Sequence, residues 1–447
     1  MKFKYVLWWS SALCWSTVLL QAQETNEIEQ LRKQIQQLQQ SWTPSQPLTL
    51  GRAGSAYMNI SLDGLFSAGG STADDIEGGT QLGGHDPKQR GFTLENMELT
   101  LDGKVDPYFR GQANMVMQID PQGETTIEAE ELYLETMSLP WNLQVKAGQF
   151  FTEFGRLNPT HPHTWAFVDQ PLVNGRFFGE DGLRNPGVRV SWLAPTPFYS
   201  ELLLGMQDSQ GGTAHAFRSS HEGGAYLGRL HDPGQVRRLR DMLFSARYAL
   251  SLDPTPTQTL LAGASAAVGP NGSGAHDDTQ IYGLDLYWKW KPADAHGGFP
   301  FVSWQSEAMW RRYEAGAFSE DLDTNGRLDP GEPDLNGDGL VNSVPRESLR
   351  DWGLYSQLLY GFRPGWIAGL RTDYVARGSR ASYEINYGAD SDRLGRWRIS
   401  PNLTWHPSEF SKIRLQYNYD YRDGIGADHT IWLQFEFLLG SHAAHKF

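Results

Sequence analysis

Between residues 321 and 332 oxygen-bearing side chains are spaced as a cation site requires. Asp321, Asp323, Asn325, Gly326, Asp329 and Glu332 fall at positions 1, 3, 5, 6, 9 and 12 of a twelve-residue calcium loop. That spacing aims alternate oxygens at one centre, the glycine permits the sharp turn, and the closing glutamate offers two oxygens. Arg327, at position 7, offers only its backbone carbonyl. A weaker run follows in Asp334, Asn336, Asp338, Gly339 and Asn342, with Pro345 where a closing acid belongs. No helical pattern flanks either run. The expected ion is calcium, bracing a loop rather than reacting. A solvated acidic turn is the other reading. Ligands that are all oxygen argue against zinc or copper.

A second group lies at 156–184. Asn158, Pro159, His161, Pro162, His163, Trp165, Phe167, Asp169, Gln170, Arg176, Phe177, Phe178, Glu180 and Asp181 share one connection. So many rings are ill-placed in free solvent, so the loop is expected to fold inward onto a protein wall and narrow a passage. Charges on the facing strands would line that passage: Arg110, Lys146, Arg189, Arg247, Arg371, Arg396, Arg398 and Arg414, with Glu98, Glu131, Glu135, Asp373 and Glu436 among them. The simplest reading is a mixed-charge lining that stays wet. His161 and His163, or His442 and His445, could bind a divalent metal through imidazole. Those pairs are expected on opposite sides of the membrane. There is no Gly-x-Ser-x-Gly elbow, phosphate loop or His-Glu-x-x-His, so no enzymatic chemistry is expected.

These groups need a frame, and the chain supplies it in a period of two. Ile413, Leu415, Tyr417, Tyr419 and Tyr421 interleave with Arg414, Gln416, Asn418, Asp420 and Arg422. Trp397, Ile399, Leu403 and Trp405 alternate in the same way with Arg396, Arg398, Asn402 and Thr404. A soluble sandwich also alternates. Here the strands are long enough to cross a bilayer at a tilt, and Tyr and Trp gather at their ends. Sixteen strands are predicted, near 55–67, 91–104, 107–119, 125–138, 141–155, 185–194, 198–207, 240–251, 257–268, 278–291, 300–315, 348–362, 365–377, 393–406, 410–422 and 428–438. Tight turns, most with proline (Pro107, Pro140, Pro195, Pro254, Pro364 and Pro407), mark one side and long loops the other. In lipid a sheet must close, so the fold expected over 55–439 is an all-β, transmembrane, antiparallel up-and-down barrel.

The ends set the compartment. Lys2 and Lys4, the apolar stretch Tyr5 to Leu20 and the small Ala22 read as a signal peptide over 1–22. Cys14, the only cysteine, would leave with it, which excludes disulfides, cysteine catalysis and cysteine-based metal sites. Ile28, Leu31, Ile35, Leu38 and Trp42 then form two heptads of a periplasmic coiled-coil segment over 23–43, or else an unstructured spacer. Residues 44–54 link it to the barrel, and 440–447 form a tail. With 48 glycines and only 39% hydrophobic residues, the composition suits many short strands rather than helical spans. The net charge of −14 disfavours nucleic acid as a partner.

Gly148-Gln149-Phe150, then Phe154-Gly155 and the loop that follows, resemble the phosphate-selective porin O/P family, as does a coiled segment ahead of sixteen strands. The resemblance spans most of the chain by architecture and a short stretch by motif. It implies a homotrimer whose pores select anions through arginines and lysines. The tail Gly440-Ser441-His442-Ala443-Ala444-His445-Lys446-Phe447 is similar to the endings of uncharacterised outer-membrane proteins linked to zinc, and a terminal Phe suits barrel assembly. The expected function is passive diffusion of small hydrophilic solutes or ions across the outer membrane of a Gram-negative-type bacterium. The alternatives are a calcium-braced surface or adhesion protein anchored by its barrel, or a zinc-related outer-membrane protein.

Overall fold

The structure, a computed structural model, describes residues 48–440 except 54–55, 105, 121, 220–224, 233, 389 and 391–392. The expected signal peptide, the coiled-coil segment, and His442 and His445 lie outside the described residues.

Sixteen strands form one closed barrel, as the alternation predicts. They are β1 (Ala56–Ser71), β2 (Gly91–Lys104), β3 (Phe109–Ile119), β4 (Thr125–Thr136), β5 (Leu143–Phe151), β6 (Arg184–Leu193), β7 (Tyr199–Asp208) and β8 (Met242–Thr255). The other half is β9 (Gln258–Pro270), β10 (Asp278–Trp290), β11 (Phe301–Ala315), β12 (Glu347–Arg363), β13 (Trp366–Val375), β14 (Arg396–Ser408), β15 (Ser411–Arg422) and β16 (Gly426–Leu439). Each strand pairs antiparallel with the next, and β16 returns to β1 from Leu62↔Leu439 to Ser71↔Thr430. A short strand, Leu48–Ala53, joins the same sheet. β9 is poor in large side chains, yet its ladder with β10 is unbroken from Gln258↔Trp290 to Pro270↔Asp278. The backbone bonds and the large partners across the strand replace its missing bulk.

The barrel is polar inside and apolar outside. In β15, Lys412, Arg414, Gln416, Asn418, Asp420 and Arg422 are all buried, while Leu415 and Tyr417 are exposed. Leu284 in mid-β10 is 56% exposed and Ile431 in β16 is 53%. A water-soluble sheet has the reverse polarity; a lipid-facing band accounts for this one. The long connections (72–90, 152–183, 209–241, 316–346 and 376–395) all leave the strands at the same end of the barrel.

Two bulges in mid-strand break the period of two and turn acids inward; three further register shifts lie next to the short turns. In β2, Leu65 pairs Asn96 and Phe66 pairs Leu94, which leaves Glu95 unpaired. In β4, Asn114 pairs Glu131 and Met115 pairs Ala129, which leaves Glu130 unpaired. An extra residue turns two consecutive side chains to the same face. Glu95 with Asn96, and Glu130 with Glu131, therefore all point inward and are buried. The expected fifth strand, 141–155, is shorter than predicted. After Phe151 the chain leaves the wall, with Thr152 N–H donating to the Leu183 carbonyl at 2.9 Å, and enters the lumen.

Candidate constriction and ion sites

The segment 152–183 crosses the inside of the barrel. It first touches the β9–β11 side, where Gly155 N–H donates to Ser265 (3.1 Å) and Leu157 N–H to Glu307 (2.8 Å). His161 and His163 then reach the β2–β4 side. From 163 onward the wall binds the loop's main chain. Lys412 donates to the His163 carbonyl (2.7 Å), Arg414 to that of Trp165 (2.8 Å), Asn402 to that of Ala166 (2.8 Å) and Arg371 to that of Asp169 (2.6 Å). A single helix, α1 (Leu172–Phe178), follows with every residue buried. Its Arg176 donates to the Ala376 and Leu394 carbonyls.

Asp169 is the hub of this attachment. It accepts from Arg371 (2.6 Å), Arg398 (2.7 Å), Gln416 (2.9 Å) and Asn418 (2.7 Å). Burial would raise its pKa, but the guanidiniums of Arg398 and Arg371 outweigh burial and hold it at about 2. Asp86, on the 72–90 loop, faces the same region and accepts from the Gly83 and Gln170 backbone N–H groups at 2.9 Å each. Burial, and then the charge of Asp169, push it up to about 7 against those two bonds and Arg398.

The aromatic side chains of the loop pack as expected. Phe167, Phe177 and Phe178 are almost fully buried, and Trp165 is partly so. Phe154, Val173, Phe177, Phe178 and Leu183 meet Leu243, Ala267, Ile281, Met309 and Tyr355 of the wall and Ala214, Ala216 and Phe217 of the 209–241 loop. Each fully buried ring or branched chain contributes roughly 1.5–3 kcal/mol, more than a typical hydrogen bond's ~1 kcal/mol. One side of the lumen is thus a protein core rather than water.

The expected lining therefore needs correction. Arg398 and Arg414 do face inward, but they are buried beneath the loop and hold Asp420, Asp169, Gln434 and loop carbonyls. Arg396 binds Asp420 (3.0 Å) and the Gly79 carbonyl (2.7 Å), and it borders a cavity of about 270 Å³ on the long-loop side. Arg176 and Glu180 border that cavity too, while Asp181 is half-buried nearer Asn158. Fixing a loop needs the same donors as attracting a free anion, so their types alone did not distinguish the roles.

Beneath the loop a larger cavity, about 1120 Å³, opens toward the short turns. Charges of both signs surround it: Arg110, Lys146, Arg156, Arg247 and Lys289 against Glu131, Glu135, Glu153 and Glu201, with His161 in its roof. Arg110 pairs with Glu135, and Arg247 with Asp285 at 2.6 Å.

The roof contains an acid–imidazole cluster. His161 Nδ1 lies 2.8 Å from Glu130 and 3.4 Å from Glu98, and its Nε2 lies 2.9 Å from Glu131. His163 Nδ1 is 3.1 Å from Glu98, and His85 Nε2 is 3.5 Å from Glu130. Burial alone would favour a neutral His161; Glu98 and Glu130 reverse that and raise its pKa well above the usual histidine range. Sequence reasoning placed Glu98, Glu131 and the two histidines inside but missed Glu130, whose parity depends on the bulge. The signal was the acid run Glu128, Glu130, Glu131 in one strand.

On the long-loop rim, Asp321, Asp323 and Glu332 bring one carboxylate oxygen each to within 4.8 Å of one another. Asp321 accepts from the Asn325 (3.0 Å) and Gly326 (2.7 Å) N–H groups, and Glu332 from those of Leu322 (2.7 Å) and Asp329 (2.9 Å). Asn325 donates to Asp329 (2.6 Å), and Arg327 donates its N–H to Asn325 (2.8 Å). In the second run Glu320 does what Pro345 cannot. It accepts from the Leu335 (2.9 Å) and Asn342 (2.8 Å) N–H groups.

The chain is 31% identical over 386 residues to an uncharacterised protein of Aquifex aeolicus (strain VF5), covering 82% of this chain and 73% of that one. The chain belongs to the family of that Aquifex protein. No family model matches it. Among solved structures, this family member resembles the outer-membrane channel DcaP of Acinetobacter baumannii, with a TM-score of 0.54 at 12% identity, covering 87% of this chain and 99% of that one. It also resembles an anion-selective porin from Comamonas acidovorans, with a TM-score of 0.50 at 8% identity, covering 86% and 100%. The Aquifex-family chain thus has a porin-type fold.

Proposed function

We propose that the protein is an outer-membrane porin through which small hydrophilic solutes or ions diffuse passively, narrowed by the 152–183 loop. The carrying observation is the mixed-charge cavity of about 1120 Å³ inside a barrel whose outer face is apolar. With cations and anions both lining that cavity, and with Arg398 and Arg414 committed to the loop, this reading favours weak charge selectivity over a phosphate filter. Two heptads over residues 28–42 support a homotrimer, which crosslinking in membranes would test.

The test is single-channel recording in planar bilayers with a salt gradient. The wild type should conduct with a reversal potential near zero. Removing residues 156–178 and closing the gap with a short Gly-Ser linker should raise conductance severalfold. A folded barrel that passes no current with or without the loop would leave the surface-anchor reading standing instead.

Calcium at 321–332 is the second reading. It is supported by the approach of Asp321, Asp323 and Glu332 and by a glycine at the sharp turn, Gly326, with φ +80°. The ion would brace the rim loop and take no part in permeation.

A further inference from the structure

We propose that Glu98, Glu130 and His161 form a buried site for one divalent transition-metal cation of the zinc, manganese or cobalt class, which pins the loop to the barrel wall. Each residue offers one ligand atom, and these atoms lie within 4.8 Å of one another. They come from β2, from the β4 bulge and from the loop, so one ion would tie three separate elements together. All three side chains are at least 95% buried.

The second observation concerns Glu130. Its side chain is only 1% exposed, and the groups it faces are two imidazoles, His161 at 2.8 Å and His85 at 3.5 Å, both capable of binding a metal. A buried carboxylate needs a positive charge beside it, and either a proton on an imidazole or a bound cation supplies one. A cavity of about 20 Å³ lined by His85, Glu130, Phe151 and Asn158 adjoins it. That is room for one water, the usual fourth ligand of an open site.

The donor set selects the metal. Two carboxylates and an imidazole suit first-row transition ions, whereas calcium prefers more ligands, all oxygen. Three carboxylates, Glu98, Glu130 and Glu131, stand among the three imidazoles of His85, His161 and His163 in this buried pocket. Protons on the imidazoles can balance them, and a dication held by Glu98 and Glu130 balances those two while leaving the His161 ring neutral to bind. The remaining oxygen of Glu98 is already oriented by Asn114 and by Thr100 (3.1 Å), as outer-shell donors orient a ligating carboxylate.

The test uses the full-length folded protein, stripped with chelator and titrated with Co²⁺ as the optical probe. One equivalent should bind, giving the visible absorption of a low-symmetry nitrogen–oxygen site, and Zn²⁺ should displace it. Glu130→Gln and His161→Gln should each weaken Co²⁺ by about 100-fold or more, since first-shell losses exceed the 10–100-fold typical of the outer shell. Heat-modifiable mobility on gels verifies folding. If either variant fails to fold, Glu98→Asp keeps the charge, withdraws the ligand atom and should shift the spectrum. Glu332→Ala should leave the cobalt signal intact, separating this site from the rim loop. No cobalt signal in the folded wild type, or a signal that survives Glu130→Gln or is lost in Glu332→Ala, overturns the proposal and leaves a proton-sharing seam. Because the readout is optical, failure here says nothing about conductance.

Discussion

Replacing Asp169 by asparagine keeps the side chain's shape and removes one charge from a network that is balanced as built. Arg371, Arg396 and Arg398 face Asp169, Asp373 and Asp420, three positive charges against three negative. In Asp169→Asn one positive charge is left in excess in a buried region. Breaking a buried pair by removing one partner costs about 3–5 kcal/mol. Here Arg371 keeps Asp373 at 2.8 Å and Arg398 keeps Asp420 at 2.6 Å, so the lower end applies. A loss of about 3 kcal/mol shifts the docking equilibrium of the loop by roughly a hundredfold. The barrel ladder is untouched, so the effect should be local. Trypsin should cut at Arg156 or Arg176 far faster than in the wild type, and open-channel noise should rise. Asp428→Asn, which weakens the rim contacts with Arg422 and Thr72 and does not touch the 152–183 loop's attachment, is the control. Equal cleavage of wild type and Asp169→Asn, with unchanged noise, would refute the hub.

Three further outcomes are expected. Leu284→Arg places a charge in the middle of the outer apolar band and should cost about 2–4 kcal/mol, read as a lower urea midpoint in lipid vesicles; an unchanged midpoint would deny that this face meets lipid. Calcium should protect the 321–345 segment from limited proteolysis, chelator should remove that protection, and Glu332→Ala should abolish it; equal cleavage throughout reduces the motif to a solvated turn. Asp86 has its pKa raised from 3.8 to about 7, so the folded form holds a proton that the unfolded form has lost across that window. Stability therefore falls as pH rises through it. Hydrogen-exchange protection of residues 72–90, corrected for intrinsic rates, should be lower at pH 8 than at pH 5, and Asp86→Asn should flatten the profile. A wild-type profile without slope would mean that Asp86 stays ionised.

The barrel was readable because each strand carries two periodic signals at once, one apolar and one polar. In β15 the alternation of Leu415 and Tyr417 with Arg414, Gln416 and Asn418 sets both faces without reference to any partner. Strand ends were less legible where the chain departs inward, as after Phe151. The role of the arginines was not legible. Their side was fixed by parity, but their partners are carbonyls and an aspartate some two hundred residues away, such as Asp169 for Arg371. Glu130 was hidden for a different reason. A bulge shifts parity by one, and nothing in a single sequence announces where the extra residue goes. His85 was hidden as well, because only the fold of the 72–90 loop brings it near β4.

Besides Asp169 and the buried rings, the wall grips the loop by its main chain. Lys412, Asn402, Arg414 and Arg371 hold the carbonyls of His163, Ala166, Trp165 and Asp169, and a carbonyl is the one group that mutation cannot change. Away from Asp169 and the buried rings, the loop's path and its side chains are therefore separable traits. Substitutions at residues such as Arg156, Pro159 or Thr160, which look into the larger cavity, can retune what passes without undoing the mooring. A change at Arg371 or Arg414 cannot be absorbed that way. Descendants of this sequence should accordingly drift fastest on the loop's cavity face and slowest on the strands behind it, so that solute preference can diversify on a fixed frame.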